Sequence, residues 1–379
     1  MLVMKILYED SMPYAEHFFS PLGDIQSFSS QTLTPEDLKD IDVLLVRSTT
    51  KVTEQLLSKA QKLKYVATAT AGSDHINKTM LAEKSIPWGS AAGCNAIAVA
   101  EYVLSCLVNE YADNLTALAD KTVGIVGAGH VGTQLDKRLQ VLGINTKLCD
   151  PPLQKAGDTR RFYSFDEICQ CDIISLHVPF VAEGDDVTHH MFDLKRLSEL
   201  QDSQLLINAC RGEVIDNQAA KSLLQSGKGL RLNMDVWENE PGIDFDLVPY
   251  SRIATAHIAG HTIEGKARGT YMLYEQLCKR FDLPQKLNFE SCLPAAETIE
   301  IRDLCDKTKF EQVSAAILST YDVKMDSDSF KQGVKSAADF VYSRKHYAIR
   351  REFASVTLKT GNLDISEALY GLGFNTIEE

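Results

Sequence analysis

The chain has 379 residues, 44% hydrophobic and 24% charged, which is room for two or three well-buried domains at about 150 residues each. A formal net charge of −13 excludes a nucleic-acid surface, because phosphate binding needs a basic face. No membrane span is expected, since the apolar stretch 96–108 is short and broken by Glu101. Nine cysteines without a regular framework, and a start without a signal-peptide layout, point to reduced thiols in the cytoplasm.

Short buried strands are expected at Lys5–Tyr8, Val43–Val46 and Tyr65–Thr68, each followed by a more polar, helix-like segment. A helix from Ala96 to about Tyr111 ends before the polar pair Asp113 and Asn114. Strands follow at Thr122–Val126, Asn145–Cys149, Ile173–Leu176, Gln204–Asn208, Leu230–Met234 and Ile253–Ala256. This alternation predicts an α/β fold with parallel sheets covered by helices. After Pro284 it gives way to a mixed tail. There Phe330, Val334, Ala337, Ala338 and Val341 recur at helical spacing, Val356–Lys359 reads as a strand and Ser366–Leu372 as a short helix.

The strongest local signal is Gly127-Ala-Gly129-His-Val131-Gly132, set directly between a strand and a helix that carries Val131, Leu135, Leu139 and Leu142 on one face. Gly127 allows a tight turn, Gly129 lets backbone approach a pyrophosphate, and Gly132 lets helix and strand pack closely. The helix N-terminus then offers free N–H groups to phosphates. Asp150, after the next strand, is placed to accept hydrogen bonds from ribose hydroxyls, which favours NAD over its phosphorylated form. The bland reading of Asp150 is a cap on the loop before Pro151. Cys169 and Cys171 have no matching second pair, so they read as structural and no metal is expected.

Three polar residues fall just after predicted strands, at the edge where open α/β sheets bind ligands. Arg211 can fork onto a carboxylate and polarise a reacting oxygen. His257 suits a general base, and Glu240 can hold its far ring nitrogen. Singly they read as a capping arginine, a surface acid and a core histidine. Their coincidence at strand ends favours catalysis.

Taken in order, the glycine motif, Ala209-Cys210-Arg211-Gly212, Asp235-Val-Trp-Glu-Asn-Glu240-Pro241 and His257-Ile-Ala-Gly260 resemble the D-isomer-specific 2-hydroxyacid dehydrogenases over residues 1–285. Val46–Val52, Ala67–His75, Gly93–Ala98 and Gly260–Gly269 extend the resemblance to members that act on a small phosphorylated 2-hydroxy acid. The resemblance implies NAD as cofactor and oxidation of the 2-hydroxyl, with Arg211, Glu240 and His257 catalytic. It implies cofactor contacts at Gly127, Gly129, Val131, Gly132, Asp150, Val178, Ala209, Cys210, Arg211, Asp235 and Gly260. Substrate contacts are implied at Ser48, Thr70, Ala71, Gly72 and His261, with Arg47 a candidate for the phosphate. Two positions depart from the family pattern: His261 replaces a tyrosine, and Val178 replaces a threonine.

The expected architecture is a flavodoxin-like substrate domain (1–110 with 262–285), a Rossmann NAD domain (111–261) and a small α+β C-terminal domain (286–379), which the resemblance makes a homodimerisation domain. The basic run Arg344–Arg351 is either a solvated helix face or part of a partner subunit's phosphate site. The residues leave open other acids of the family, namely 3-phosphoglycerate, glycerate and hydroxypyruvate. A non-catalytic NAD-sensing protein is the alternative of a different class.

Overall fold

The computed structural model describes residues 4–300, 307–359 and 363–377. The chain divides into two compact units, Met1–Asn95 with Thr262–Ala295, and Ala96–His261 with Ala296–Glu379.

The first unit is built on a five-stranded parallel sheet in the order Asp24–Phe28, Lys5–Glu9, Val43–Val46, Tyr65–Thr68, Trp88–Ser90. Two of its three inner strands, Val43–Val46 and Tyr65–Thr68, are buried at every residue. Parallel strands covered on both faces need that continuous apolar run rather than alternation. In chain order the strands run 2-1-3-4-5, the flavodoxin-like order, whose switch point lies between Lys5–Glu9 and Val43–Val46. Helix Ile263–Arg280 closes one face. Thr262 caps it by accepting from the Gly265 N–H (2.9 Å), and its buried face packs Leu273, Tyr274 and Leu277 into the cluster of Phe18, Phe19 and Tyr65.

The second unit carries six parallel strands in the order Ile253–Ala254, Arg231–Met234, Leu205–Asn208, Ile173–Leu176, Thr122–Val126, Asn145–Cys149. An isolated parallel bridge, Leu148 to Phe162, marks one more strand position at the outer edge and completes the Rossmann order. The switch point lies between Thr122–Val126 and Ile173–Leu176, where the glycine motif begins.

Helix Ala96–Glu110 belongs to this unit, so the first unit closes at Asn95 and not at residue 110 as the sequence reading has it. The helix is buried almost all round, from Ala96 to Val108 apart from Ile97, and its apolar sequence suits such a place. The C-terminal segment packs onto the same unit. Ser105 Oγ donates to the Tyr321 carbonyl (2.8 Å) and accepts the Val323 N–H (2.9 Å). The segment has its own three-stranded parallel sheet, Glu297–Glu300, Val356–Lys359 and Asn375–Ile377. The single helix expected across Phe330–Val341 is two, Val323–Gly333 and Ala337–Lys345. The chain turns extended at Val334, and Ser336 caps the second helix through its bond to Asp339. Val341 is half exposed. Among the described residues no helix is long and apolar enough to cross a membrane.

Glu101 is a carboxylic acid buried in the middle of helix Ala96–Glu110. Its Oε1 accepts the Phe353 N–H (3.0 Å) and lies 4.0 Å from Arg138 Nη2. Burial, with the like charge of Glu352 adding to it, pushes its carboxyl up to about 8 against the pull of Arg138 and Arg350. An acid that holds its proton more tightly in the fold loses stability as pH rises between its unfolded value, 4.5, and about 8. The melting temperature of Glu101→Gln should therefore gain on that of the wild type across this window. Parallel curves would show that Glu101 stays ionised.

Candidate active site

The end of strand Arg231–Met234 feeds Asp235, a carboxylate that is 1% exposed. Its Oδ1 accepts from Thr255 Oγ1 (2.7 Å) and the Ile258 N–H (2.7 Å), and its Oδ2 from the Ala259 N–H (3.0 Å). The His257 N–H donates to the Asp235 carbonyl (2.7 Å). One buried acid thus organises the whole loop after the last strand, Thr255 to Ala259. Tyr102 of the buried helix reaches the same loop through Thr255 Oγ1 (2.8 Å). His257 adopts a φ of 56°, a conformation that costs a non-glycine residue about 1–3 kcal/mol and persists only where its surroundings over-determine it.

His257 Nδ1 lies 2.8 Å from Glu240 Oε2. Glu240 Oε1 accepts the Trp237 N–H (2.9 Å), so both carboxylate oxygens are engaged. Burial would raise this carboxyl. The neighbouring His257, the two hydrogen bonds and the charge of Arg344 outweigh it and hold the group below its ordinary value. Glu240 is therefore an anion at neutral pH, which places the proton on Nδ1 and leaves Nε2 as an acceptor. About a third of the His257 side chain is exposed. His177 is the contrasting case. Partly buried and bonded through Nε2 to Ser175 (2.8 Å), it is pushed down by desolvation to about 3 and stays neutral.

Arg211 follows the strand Leu205–Asn208, and Asn208 Nδ2 pins its carbonyl (2.8 Å) while its own Nη1 donates to the Cys210 carbonyl (2.7 Å). The next residue explains how this segment meets the Glu240 turn. A Cβ at Gly212 would stand 1.9 Å from the Trp237 carbonyl carbon and 2.4 Å from the Glu238 nitrogen, so only glycine allows the two backbones to touch. Arg211, Glu240 and His257 are thereby gathered by one buried frame within the second unit. Cys210 is buried, and its thiol is pushed up to about 11 by that burial, which removes thiolate chemistry from this position.

The residues at the glycine motif fit a dinucleotide. Gly127 has φ 89°, and a Cβ there would meet the His177 carbonyl at 2.5 Å. A Cβ at Gly132 would meet the Gly127 carbonyl at 2.1 Å, while at Gly129 it would meet nothing within 4 Å, leaving room for a ligand at the start of helix His130–Val141. Val131 packs against the core, and Val178 lies beside Gly127. Asp150 does what its bland reading describes, since Oδ1 caps Pro151–Lys155 through the Leu153 N–H (3.0 Å). Its Oδ2 in addition takes the Ala128 N–H of the glycine loop (2.8 Å). Arg160, which sequence reasoning missed, braces this loop through the Ala128 carbonyl (2.9 Å) and Thr133 Oγ1 (2.9 Å) while paired with Asp158. No local pattern marks it, because the loop atoms it braces lie about thirty residues away in the chain.

In the first unit Arg47, Ser48, Thr70, Ala71 and Gly72 all follow strands at the sheet's carboxyl edge. Ser48 is exposed, and Thr70 Oγ1 bonds to Thr68 Oγ1 (2.7 Å) and the Gly72 carbonyl (2.8 Å). The second residue that sequence reasoning missed, Glu9, sits at this unit's switch point and is 1% exposed. It accepts from Ser11 (2.6 Å), Thr49 (2.6 Å), Thr50 (2.7 Å) and the Arg47 N–H (2.8 Å). Burial would raise it, but these four donors hold it below its ordinary value. An acid ending a buried strand was the available signal.

Gly260 follows the loop that carries His257, and the His261 ring lies 6.2 Å from that of Tyr347. The basic run does not form a solvated face at its end. Arg350 and Arg351 are 5% and 9% exposed, and Arg350 is committed to carbonyls of its own chain. Cys169 and Cys171 are buried and free. Among the described residues the one grouping of metal-ligand type is His189, His190 and Glu238, where His190 Nε2 is 2.7 Å from Glu238 Oε1.

Residues 101–259 match the family described as D-isomer specific 2-hydroxyacid dehydrogenase, NAD binding domain, and residues 293–373 match a domain of unknown function. The erythronate-4-phosphate dehydrogenase of Pseudoalteromonas atlantica is 55% identical over 98% of this chain and 100% of its own length. That of Klebsiella pneumoniae is 41% identical over 99% of each. Two solved structures share the fold at lower identity. The 3-phosphoglycerate dehydrogenase of Entamoeba histolytica with NAD⁺ is 23% identical (TM-score 0.62) over 74% of this chain and 96% of its own. The D-lactate dehydrogenase of Aquifex aeolicus with NAD and lactic acid is 24% identical (TM-score 0.58) over 73% and 95%. The chain therefore belongs to the erythronate-4-phosphate dehydrogenases, within the D-isomer-specific 2-hydroxyacid dehydrogenase family.

Proposed function

We propose that the protein oxidises 4-phospho-D-erythronate to 2-oxo-3-hydroxy-4-phosphobutanoate with NAD, a step toward pyridoxal 5'-phosphate. The carrying observation is the 2.8 Å pair of His257 Nδ1 and the Glu240 carboxylate, with Gly212 seating the Arg211 segment against the Trp237–Glu238 backbone. Bound NAD supplies the hydride acceptor. His257 Nε2 takes the proton of the 2-hydroxyl as the C2–H electron pair departs, and Glu240 stabilises the imidazolium that forms. Arg211 forks onto the substrate carboxylate and the reacting oxygen. Asp150 accepts from the ribose hydroxyls while holding the glycine loop. Gly127, Gly129, Val131, Gly132, Val178, Ala209, Cys210, Asp235 and Gly260 face the cofactor, several through backbone atoms. Ser48, Thr70, Ala71, Gly72 and His261 are assigned to the substrate, with Arg47 for its phosphate.

The test is NADH formation with 4-phospho-D-erythronate run beside unphosphorylated erythronate and 3-phosphoglycerate, with product trapped to draw the equilibrium. Preference for another acid would overturn the substrate. Arg211→Lys should lower kcat/KM roughly 10–100-fold, the worth of one charged hydrogen bond lost when a fork becomes a point charge. Steady-state kinetics at saturating NAD checks this.

We read the C-terminal segment as a homodimerisation module. Met325, Tyr342, Ile349 and Tyr370, all within it, are 65–81% exposed, an unusual concentration of bare apolar side chains. Light scattering at twice 42.0 kDa would support a dimer. The eight described cysteines are free, which supports a cytoplasmic home.

A further inference from the structure

The catalytic loop is held from two sides. Asp235 grips the N–H groups of Ile258 and Ala259 from within the sheet. From the other side comes Arg350, a residue of the C-terminal segment. Its Nη1 donates to the Ala259 carbonyl (3.0 Å) and its Nη2 to the Ala98 carbonyl (2.7 Å). One planar fork therefore ties the loop two residues beyond His257 to the first turn of the buried helix Ala96–Glu110.

The fork is itself fixed. The guanidinium carbon stands 3.7 Å over the Tyr321 ring, close enough for a cation–π contact, and Tyr321 Oη donates to Asp326 Oδ2 (2.9 Å). Tyr347 donates to the same oxygen (2.6 Å), and its ring faces His261. The chain from Asp326 through Tyr321 to Arg350 lies in the C-terminal segment, and its free end touches the loop that carries the base. Burying a guanidinium is costly, and Tyr321, Tyr347, Glu101 and Asp326 offset that cost while its hydrogen bonds go to two backbone carbonyls. A tether is worth that cost where a left-handed histidine must be kept in register with its carboxylate.

We propose that Arg350 is a positioning residue for the reaction, holding the 257–261 loop so that His257 stays aligned between Glu240 and the substrate hydroxyl. The C-terminal segment, beyond any part in assembly, is then a structural component of proton transfer. The inference rests on His257 as base and is independent of which acid is the substrate.

The test uses full-length Arg350→Lys and Arg350→Ala. A lysine ammonium cannot span both carbonyls with a planar fork. It should lower kcat at least tenfold with the NADH dissociation constant, read by fluorescence quenching, changed less than twofold. A misplacement near 1 Å can cost about 10²-fold. Arg350→Ala should regain part of its kcat when guanidinium ion is added at millimolar concentration, and wild type should not respond. Should the alanine variant fail to fold, the lysine variant carries the test. Wild-type kcat in Arg350→Lys, or a parallel loss of kcat, NADH affinity and thermal stability without guanidinium rescue, overturns the proposal. Amide hydrogen exchange at 257–261, measured without substrate, should quicken in Arg350→Lys and keeps the test separate from the substrate assignment. A wild type that ignores 4-phosphoerythronate would overturn that assignment alone.

Discussion

Replacing His257 with alanine should lower kcat by about 10²–10⁴-fold, the usual contribution of a positioned general base, while NADH still binds within about twofold of wild type. The separation is expected because the residues that fit the dinucleotide, Gly127 to Gly132 and Asp150, are held by Arg160, the Leu153 cap and the Val126 strand end rather than by His257. Glu240→Gln should cost a similar but smaller amount. A glutamine still accepts the Trp237 N–H, yet it no longer offers an anion to the imidazolium, and its amide face can turn the ring to the wrong tautomer. If the two act as one unit, the double variant should be no slower than His257→Ala. Additive losses in the double variant would mean that Glu240 acts elsewhere, through the Trp237 turn. Single-turnover rates with stoichiometric NAD read the effect without the complication of product release.

Gly212→Ala should be the most damaging small change in the second unit. The added methyl would lie about 2 Å from the Trp237 carbonyl and the Glu238 nitrogen, both backbone atoms that cannot swing aside. Overpacking of this kind costs about 1–3 kcal/mol of stability. The kinetic loss should be greater than that figure implies, because parting the two backbones separates Arg211 from Glu240 and so disturbs both the carboxylate fork and the base. Gly242→Ala is the control, since the nearest atom to its new methyl is the Asn239 carbonyl at 3.6 Å. Denaturation midpoints and kcat/KM for the two variants decide the matter: equal effects would remove the close approach from the account of the site.

The parts of this site that sequence reveals are those whose physics is local. The glycine motif is readable because the strand before it, the helix after it and the acid beyond are adjacent in the chain. Arg211 and His257 are readable because a polar residue ending a buried strand has few other uses. Glu9 also ends a buried strand, but its partners stay hidden, because three of its four donors come from the loop after a strand about forty residues on. The break at Val334 is invisible to periodicity, since Phe330 and Ala337 keep step across it although the helix does not. Arg350 shows the limit most sharply. In the chain it is one of four positive charges in a run, and charge patterning offers it to solvent or to a phosphate. Its acceptors are carbonyls 91 and 252 residues away, and backbone carbonyls leave no trace in a sequence.

Those separations bear on how the protein is made. Helix Ala96–Glu110 emerges from the ribosome early, but Ser105, Glu101 and Ala98 each take a partner from Tyr321, Phe353 or Arg350. At ordinary translation rates, about 5–20 residues per second, Arg350 follows Ala98 by roughly 13–50 s. During that interval an apolar helix bearing a carboxylate has one side uncovered, and the nascent chain has reason to engage a chaperone. Catalytic competence should accordingly appear late, at chain release, and truncation within the final thirty residues should be felt first as lost yield.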